Sequence, residues 1–385
     1  MLSLRVQKMG RSAYSQGRGG SLASTALGDA NRGFDRGEHF WEGRPQRPPE
    51  RPAFSFPEGL HARVYTGIVV KRVLLASPRG YCAGVERAVE TVERALDLYG
   101  PPVYVRKQIV HNLHVVRDLE ERGAIFVESE DEVPVGATVV FSAHGVAPAV
   151  HVNSAARGLN TIDATCPLVT KVHVQARRYA AAGYTVVLIG HAGHEEVVGT
   201  MGEAPDSIVL VESIEDAERL ELPGAEKIAY ITQTTLSVDE TAEIIGVLRR
   251  RFPNVYAPKK EDICYATSNR QWAVKELLGE VDLLLVIGSR NSSNSNRLVD
   301  VARAAGVASY LIDDETEIEE SWVESVETVG VTSGASAPEK LVERVCDWFR
   351  ARGAAIEAFR MVDEDVEFRL PVELRRELAL ADAQR

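Results

Sequence analysis

The chain has 385 residues, of which 45% are hydrophobic and 26% charged, a composition ordinary for a globular protein and long enough for two or three packed units. It holds no apolar run of the roughly 18–20 residues needed to span a bilayer, and a formal net charge of −12 argues against a nucleic-acid-binding surface. The charge is uneven, +4 over residues 1–70 and −16 over the rest, so an anionic ligand needs a local pocket of donors rather than an overall field.

Residues 1–68 read as a disordered leader, because their Gly, Arg, Ser and Pro content (GRGGS, EGRPQRPPERP) offers too little apolar area to offset ordering entropy. The expected location is the cytoplasm. A plastid-type transit leader is the alternative, since Arg5, Lys8, Arg11 and Arg18 precede any acidic residue. From Lys71 the texture becomes βα alternation. VKRVLLAS predicts a strand, PRGYCAG a loop, and VERAVETVERALDLYG a helix that stops at Gly100. Further strands are predicted at PVYVRK, AIFVES and ATVVFSAHG. A second cycle opens at LNTIDATCPLV and runs through YTVVLIGHAG, SIVLVE and IAYITQTT. A third runs from DICYATSNRQWAVKELLG through VDLLLVIGS and SYLIDD to VGVTSGASAP. Such alternation implies an α/β fold of mainly parallel sheets with right-handed crossovers. The expected divisions are a first αβ unit over 69–165, a second over 166–263, a third over 264–350, and a tail over 351–385 that packs back on the first unit.

Each cycle contains one cysteine near a strand–loop–helix junction: Cys82 in PRGYCAG, Cys166 in DATCPLV and Cys264 in DICYAT. They are too far apart in sequence for a local CxxC site, and four cysteines in so long a chain do not make a disulfide framework. Inert buried thiols are one reading, and Cys346, on the apolar stripe of LVERVCDWFR, keeps it. A shared metal is the other. Three thiolates on a cubane cluster leave one iron open to a ligand; zinc held by three Cys and a His remains possible.

His111 (QIVHN), His144 (SAHGV) and His194 (GHAGHEEV) fall at strand-to-helix transitions, where backbone N–H groups also point outward. His114, His151, His173 and His191 read as structural. Ser292, Ser293 and Asn294 in GSRNSSNSNRL, with Ser336 in SGASAP, fit a phosphate cradle at helix N-termini. GxxxxGK[ST] and GxGxxG are both missing, which removes the usual nucleotide readings. Thr234 in TQTT and the adjacent Glu195 and Glu196 supply hydroxyl and carboxyl groups. Enclosure would raise a carboxyl's proton affinity, but chemistry alone does not choose between the two.

PRGYCAGVERAV, IVHN, SAHGV, DATCPLVTKVH, GHAGHEEVVGTMGE, TQTTLSVDET, DICYATSNRQ, GSRNSSNSNRL and GASAP occur in this order. Together, over roughly residues 71–350, they resemble the 4-hydroxy-3-methylbut-2-enyl diphosphate reductase family. The resemblance implies a trefoil of three αβ units around one [4Fe–4S] cluster, held by Cys82, Cys166 and Cys264 with one open iron. It implies that His111, His144, His194, Ser292, Ser293, Asn294 and Ser336 bind an allylic diphosphate, that Glu196 donates a proton, and that Thr234 orients the substrate hydroxyl. The implied reaction is reductive dehydroxylation to isopentenyl and dimethylallyl diphosphates, the last step of the methylerythritol phosphate route, with ferredoxin or flavodoxin as electron donor. Many relatives have Pro between this His and Glu, where this chain has Glu195. Two rival readings are a non-redox iron–sulfur hydro-lyase, which needs no reductant, and an iron–sulfur oxygen-sensing regulator.

Overall fold

The computed structural model describes residues 70–383; the leader expected over 1–68 lies outside the described residues. In chain order the first stretch gives β1 (Arg72–Ser77), α1 (Ala83–Tyr99), β2 (Val103–Arg106), α2 (Leu113–Glu121), β3 (Ala124–Val127), β4 (Thr138–Phe141), α3 (Pro148–Ala156) and β5 (Asn160–Asp163). The second gives α4 (Pro167–Ala181), β6 (Thr185–Ile189), α5 (Glu195–Gly202), β7 (Ile208–Val211), α6 (Ile214–Arg219), β8 (Ile228–Thr232) and α7 (Val238–Arg251). The third gives α8 (Tyr265–Leu277), β9 (Leu283–Ile287), α9 (Ser293–Ala304), β10 (Ala308–Ile312), α10 (Glu320–Val323), β11 (Thr328–Ser333) and α11 (Glu339–Arg350). The chain then ends in β12 (Ala355–Arg360) and α12 (Val372–Ala383).

The strands form three separate sheets, ordered β10-β9-β11-β1-β12, β3-β2-β4-β5 and β7-β6-β8. Every pairing is parallel. β9 (LLLVI) is buried along its whole length, as a parallel strand covered on both faces must be. The fold is thus a trefoil of three αβ units, each with its own parallel sheet.

The units interlock through the strands that precede the cysteines. β5, just before Cys166, closes the edge of the sheet that contains β2. Tyr256, ahead of Cys264, bridges to Ala229 of β8 in the second sheet. β1, just before Cys82, hydrogen-bonds to β11 in the third sheet rather than to the strands that follow it. Each cysteine therefore sits where the chain leaves one sheet to build the next.

β12 was not apparent from the periodicity of AIEAFR. It lies on the outer edge of the third sheet, paired with β1, and most of its residues are exposed, so no apolar alternation marks it. Beyond it the chain runs to α12, whose Leu374 is buried in one cluster with Ala88, Val92 and Ala95 of α1.

Candidate active site

Cys82, Cys166 and Cys264 are the N-cap residues of α1, α4 and α8. Each sends its backbone N–H to a carbonyl in another of the site's loops: Cys82 to Ala335 at 3.2 Å, Cys166 to Ala143 at 2.9 Å, Cys264 to Thr234 at 3.0 Å. The three helices present their positive ends to one cavity, which all three thiols line. Gly84 allows two of them to meet. A Cβ built there would stand 2.7 Å from Cys166 Sγ and 3.8 Å from Cys82 Sγ. Cys346 is buried in the core between α11 and the third sheet, away from the other three.

The thiols suit a multi-iron cluster better than a single ion. Among the described residues, the group of three His, Cys, Asp or Glu ligand atoms lying within 4.8 Å of one another is His111, His144 and Glu195, not the cysteines. One zinc ion with Zn–S bonds of about 2.3 Å cannot bridge sulfurs more than about 4.6 Å apart. At least one pair of these sulfurs is spread wider than that, a spacing that fits the larger thiolate-ligated iron–sulfur clusters. Burial pushes the Cys166 thiol up to about 12 and the Cys264 thiol up to about 11, with the charge of Cys82 adding to both. A metal bound there must therefore displace protons from these thiols, and its positive charge offsets the repulsion among the thiolates that result.

Beside the thiols, the rings of His111 and His144 stack at 4.1 Å, and His194 stands edge-on to both at 5.5 and 5.8 Å. Burial, then the neighbouring rings, drives His111 down to about 2 and His194 to about 4, so both are neutral near pH 7. Their hydrogen bonds fix the tautomers. Nδ1 of His194 accepts from the Glu196 backbone N–H at 3.2 Å. Asn291 Nδ2 donates to Gln108 Oε1 at 2.7 Å and faces His111 Nδ1 at 3.2 Å. His194 thus carries its hydrogen on Nε2, leaving it as a donor; at His111 the Asn291 amide competes for Nδ1 with Gln108 Oε1, 3.4 Å away, and the ring keeps its hydrogen on Nε2 when Asn291 is the donor. His144 differs, because its Nδ1 lies 3.1 Å from Glu195 Oε2 and 3.2 Å from Ser142 Oγ.

Ser292 is the N-cap of α9, and its Oγ accepts from the backbone N–H and the hydroxyl of Ser295, which leaves its own O–H unspent. Ser293 Oγ donates to Thr235 O and Ser336 Oγ to His111 O, so these two reach a ligand by hydroxyl rotation. Asn294 is held at both ends, by Thr267 Oγ1 and by the N–H of Ala335. Opposite them Glu196, 2% exposed, receives the Thr234 N–H on Oε1 at 2.7 Å and the Thr234 hydroxyl on Oε2 at 3.0 Å. Burial pushes its carboxyl up to about 7 despite those two bonds.

One cavity therefore brings together Cys82, Cys166 and Cys264, the three histidines, Glu196, Thr234, Ser292, Ser293, Asn294 and Ser336. Glu195 and Glu196 part company: the first faces His144, the second turns inward to Thr234. His114, His151 and His173 instead face Asp314, Asp163 and Glu203, and like His191 they lie outside the lining. Sequence reasoning missed Thr235, Tyr265, Thr267 and Phe368, which also line the cavity. Thr235, Tyr265 and Thr267 sit within quoted motifs. Phe368 arrives from the tail with no motif around it.

Fold and site define an α/β trefoil protein with a three-thiol centre beside a cup of hydroxyl, amide and imidazole groups. Residues 73–350 match the family described as LytB protein, and the chain belongs to that family. A relative from Acidothermus cellulolyticus, named 4-hydroxy-3-methylbut-2-enyl diphosphate reductase, is 62% identical over 310 residues, covering 80% of this chain and 91% of its own. One of the same name from Streptomyces coelicolor is 57% identical over 310 residues, covering 80% and 92%. Among solved structures, the E-1-hydroxy-2-methyl-but-2-enyl-4-diphosphate reductase from Plasmodium falciparum superposes with a TM-score of 0.79 at 37% identity, over 82% of this chain and 99% of that one.

Proposed function

We propose that this chain removes the hydroxyl of (E)-4-hydroxy-3-methylbut-2-enyl diphosphate by reduction, giving isopentenyl and dimethylallyl diphosphates, as the last step of the methylerythritol phosphate route. The allylic C–O bond breaks with uptake of two electrons and two protons, and water leaves. What carries this reading is the meeting, in one cavity, of three thiols, an anion cup and a buried carboxyl pushed up to about 7.

Cys82, Cys166 and Cys264 would hold one [4Fe–4S] cluster. Bound there, it would supply Lewis acidity and one-electron transfer, with a cytoplasmic ferredoxin or flavodoxin as the electron source. His111 and His194 offer neutral Nε2–H donors to the diphosphate, and Ser292 a hydroxyl at the positive end of α9. Ser293, Asn294, Ser336 and His144 complete the cup. Glu196 is the proton source. When Oε2 is protonated it donates to Thr234 Oγ1 across 3.0 Å, which turns the Thr234 hydroxyl toward the substrate's leaving oxygen.

The test is anaerobic purification with iron and sulfide analysis, then turnover of the allylic diphosphate with and without dithionite-reduced viologen. Reductant-dependent formation of both products is expected. Product formation without reductant would point to a hydro-lyase instead.

A further inference from the structure

We propose that Arg87 is the fixed positive charge that offsets the negative charge of the thiolate-bound cluster, and that it sets how readily the cluster takes up an electron. The inference rests on the cluster reading above and goes beyond it.

Arg87 lies on α1, little more than a turn beyond Cys82, and is 9% exposed. Its Nη1 donates to Ala164 O at 2.9 Å and to Thr165 O at 3.0 Å, the two residues that precede Cys166. Its Nε donates to Arg369 O at 2.7 Å, next to Phe368, which lines the cavity. Every acceptor is a neutral carbonyl. Among the described residues no carboxylate lies within ion-pair distance of this guanidinium; Asp163 and Glu373 are close enough to be felt but not to pair with it, and Asp163 is committed to Thr165. A buried cation without a counter-ion is costly, and proteins place one where an anion belongs.

Arg270 shows the contrast. It is fully buried on α8, donates to Gly80 O in the loop before Cys82, and is neutralised by Glu364 at 3.1 Å. Of two buried guanidiniums that brace cysteine loops, one has its carboxylate and the other is held against the Cys166 loop without one. Three thiolates on a [4Fe–4S] core leave the oxidised group net negative, and reduction adds one more negative charge. A nearby fixed cation favours the reduced form. Arg87 is a positioning and tuning residue; it touches no reacting atom.

The experiment uses the cluster-loaded full chain and reads the reduction potential by a titration followed by electron paramagnetic resonance. Arg87→Gln and Arg87→Met should lower the reduced-to-oxidised ratio roughly tenfold at a fixed ambient potential, about 59 mV for a one-electron couple. Arg87→Lys, which keeps the charge and loses the forked hydrogen bonds, should recover most of that shift. Unchanged potential in the neutral variants at full iron content overturns the proposal. Where the neutral variants fail to retain iron, retention by Arg87→Lys alone supports the charge requirement, and equal loss in all three overturns it. Lack of iron and sulfide in the anaerobic wild-type protein would instead sink the cluster reading itself.

Discussion

Thr234 grips both oxygens of Glu196, with its backbone N–H on one at 2.7 Å and its hydroxyl on the other at 3.0 Å. Those bonds favour the charged carboxylate, yet burial outweighs them and pushes Glu196 up to about 7. The group therefore holds its proton below about pH 7 and loses it above. Turnover under saturating substrate should fall as pH rises through about 7. Glu196→Gln should leave the cluster spectrum unchanged and lower kcat by roughly 10²–10⁴-fold, the usual worth of a placed acid. Wild-type-like turnover in that variant would remove Glu196 from the mechanism.

Gly84 is the close-approach point of the cysteine centre. In an ordinary helix Gly→Ala stabilises by up to about 1 kcal/mol. Here the added methyl would stand 2.7 Å from Cys166 Sγ, inside any permitted contact. Gly84→Ala should retain its far-ultraviolet circular dichroism while losing most of its iron, measured per chain after anaerobic reconstitution. Full iron loading would mean that the two sulfurs sit elsewhere.

Much of this centre was legible because each cysteine stands at a strand–loop–helix junction, where periodicity breaks and polar or glycine residues cluster. Cys82, Cys166 and Cys264 become helix N-caps for that local reason. The choice between Glu195 and Glu196 was not legible from chemistry. Which of the two enters the cavity depends on how the first turn of α5 faces, and the packing of Thr234 on Glu196 turns that residue inward. Arg87 was hidden differently. Within VERAVETVERAL it looks like one more solvated charge, and its burial comes from the Cys166 loop and the tail, 77 and 282 residues away. The pairing of β1 with β11 is equally non-local. A sequence pattern reports local periodicity; it does not report which distant strand completes a sheet.

Asn291 fixes His111 by donating to Gln108 at 2.7 Å and facing His111 Nδ1 at 3.2 Å. Without it, the ring is free to put its hydrogen on Nδ1 and present a lone pair to the diphosphate. Asn291→Ala should raise KM about fivefold, the worth of one oriented hydrogen bond of about 1 kcal/mol, and leave kcat nearly unchanged. A fall in kcat with constant KM would contradict a role confined to binding.

The tail is held to the cysteine face by Glu364, which binds Arg270 through both oxygens at 3.1 and 3.2 Å and accepts from Asn269 at 3.0 Å. Removing it strands a fully buried guanidinium. Glu364→Ala should cost about 3 kcal/mol and lower Tm by about 5 °C, read by calorimetry. A Tm within a degree of wild type would show that solvent reaches Arg270 once the carboxylate is gone.

Glu195 is the first residue of α5, a position where proline is favoured because its missing N–H has no helical partner. Glu195→Pro should therefore fold with unchanged Tm. Its effect belongs to His144, whose Nδ1 lies 3.1 Å from Glu195 Oε2. A carboxylate facing Nδ1 favours a hydrogen there, which leaves Nε2 an acceptor and a poor neighbour for an anion. In Glu195→Pro the hydroxyl of Ser142, 3.2 Å from Nδ1, can donate instead, and the ring then offers Nε2–H. Inorganic diphosphate should therefore bind the variant about fivefold more tightly than the wild-type protein, the worth of one oriented hydrogen bond of about 1 kcal/mol. Titration calorimetry measures the difference directly, and equal affinity in both proteins would mean that Glu195 does not govern which nitrogen of His144 donates.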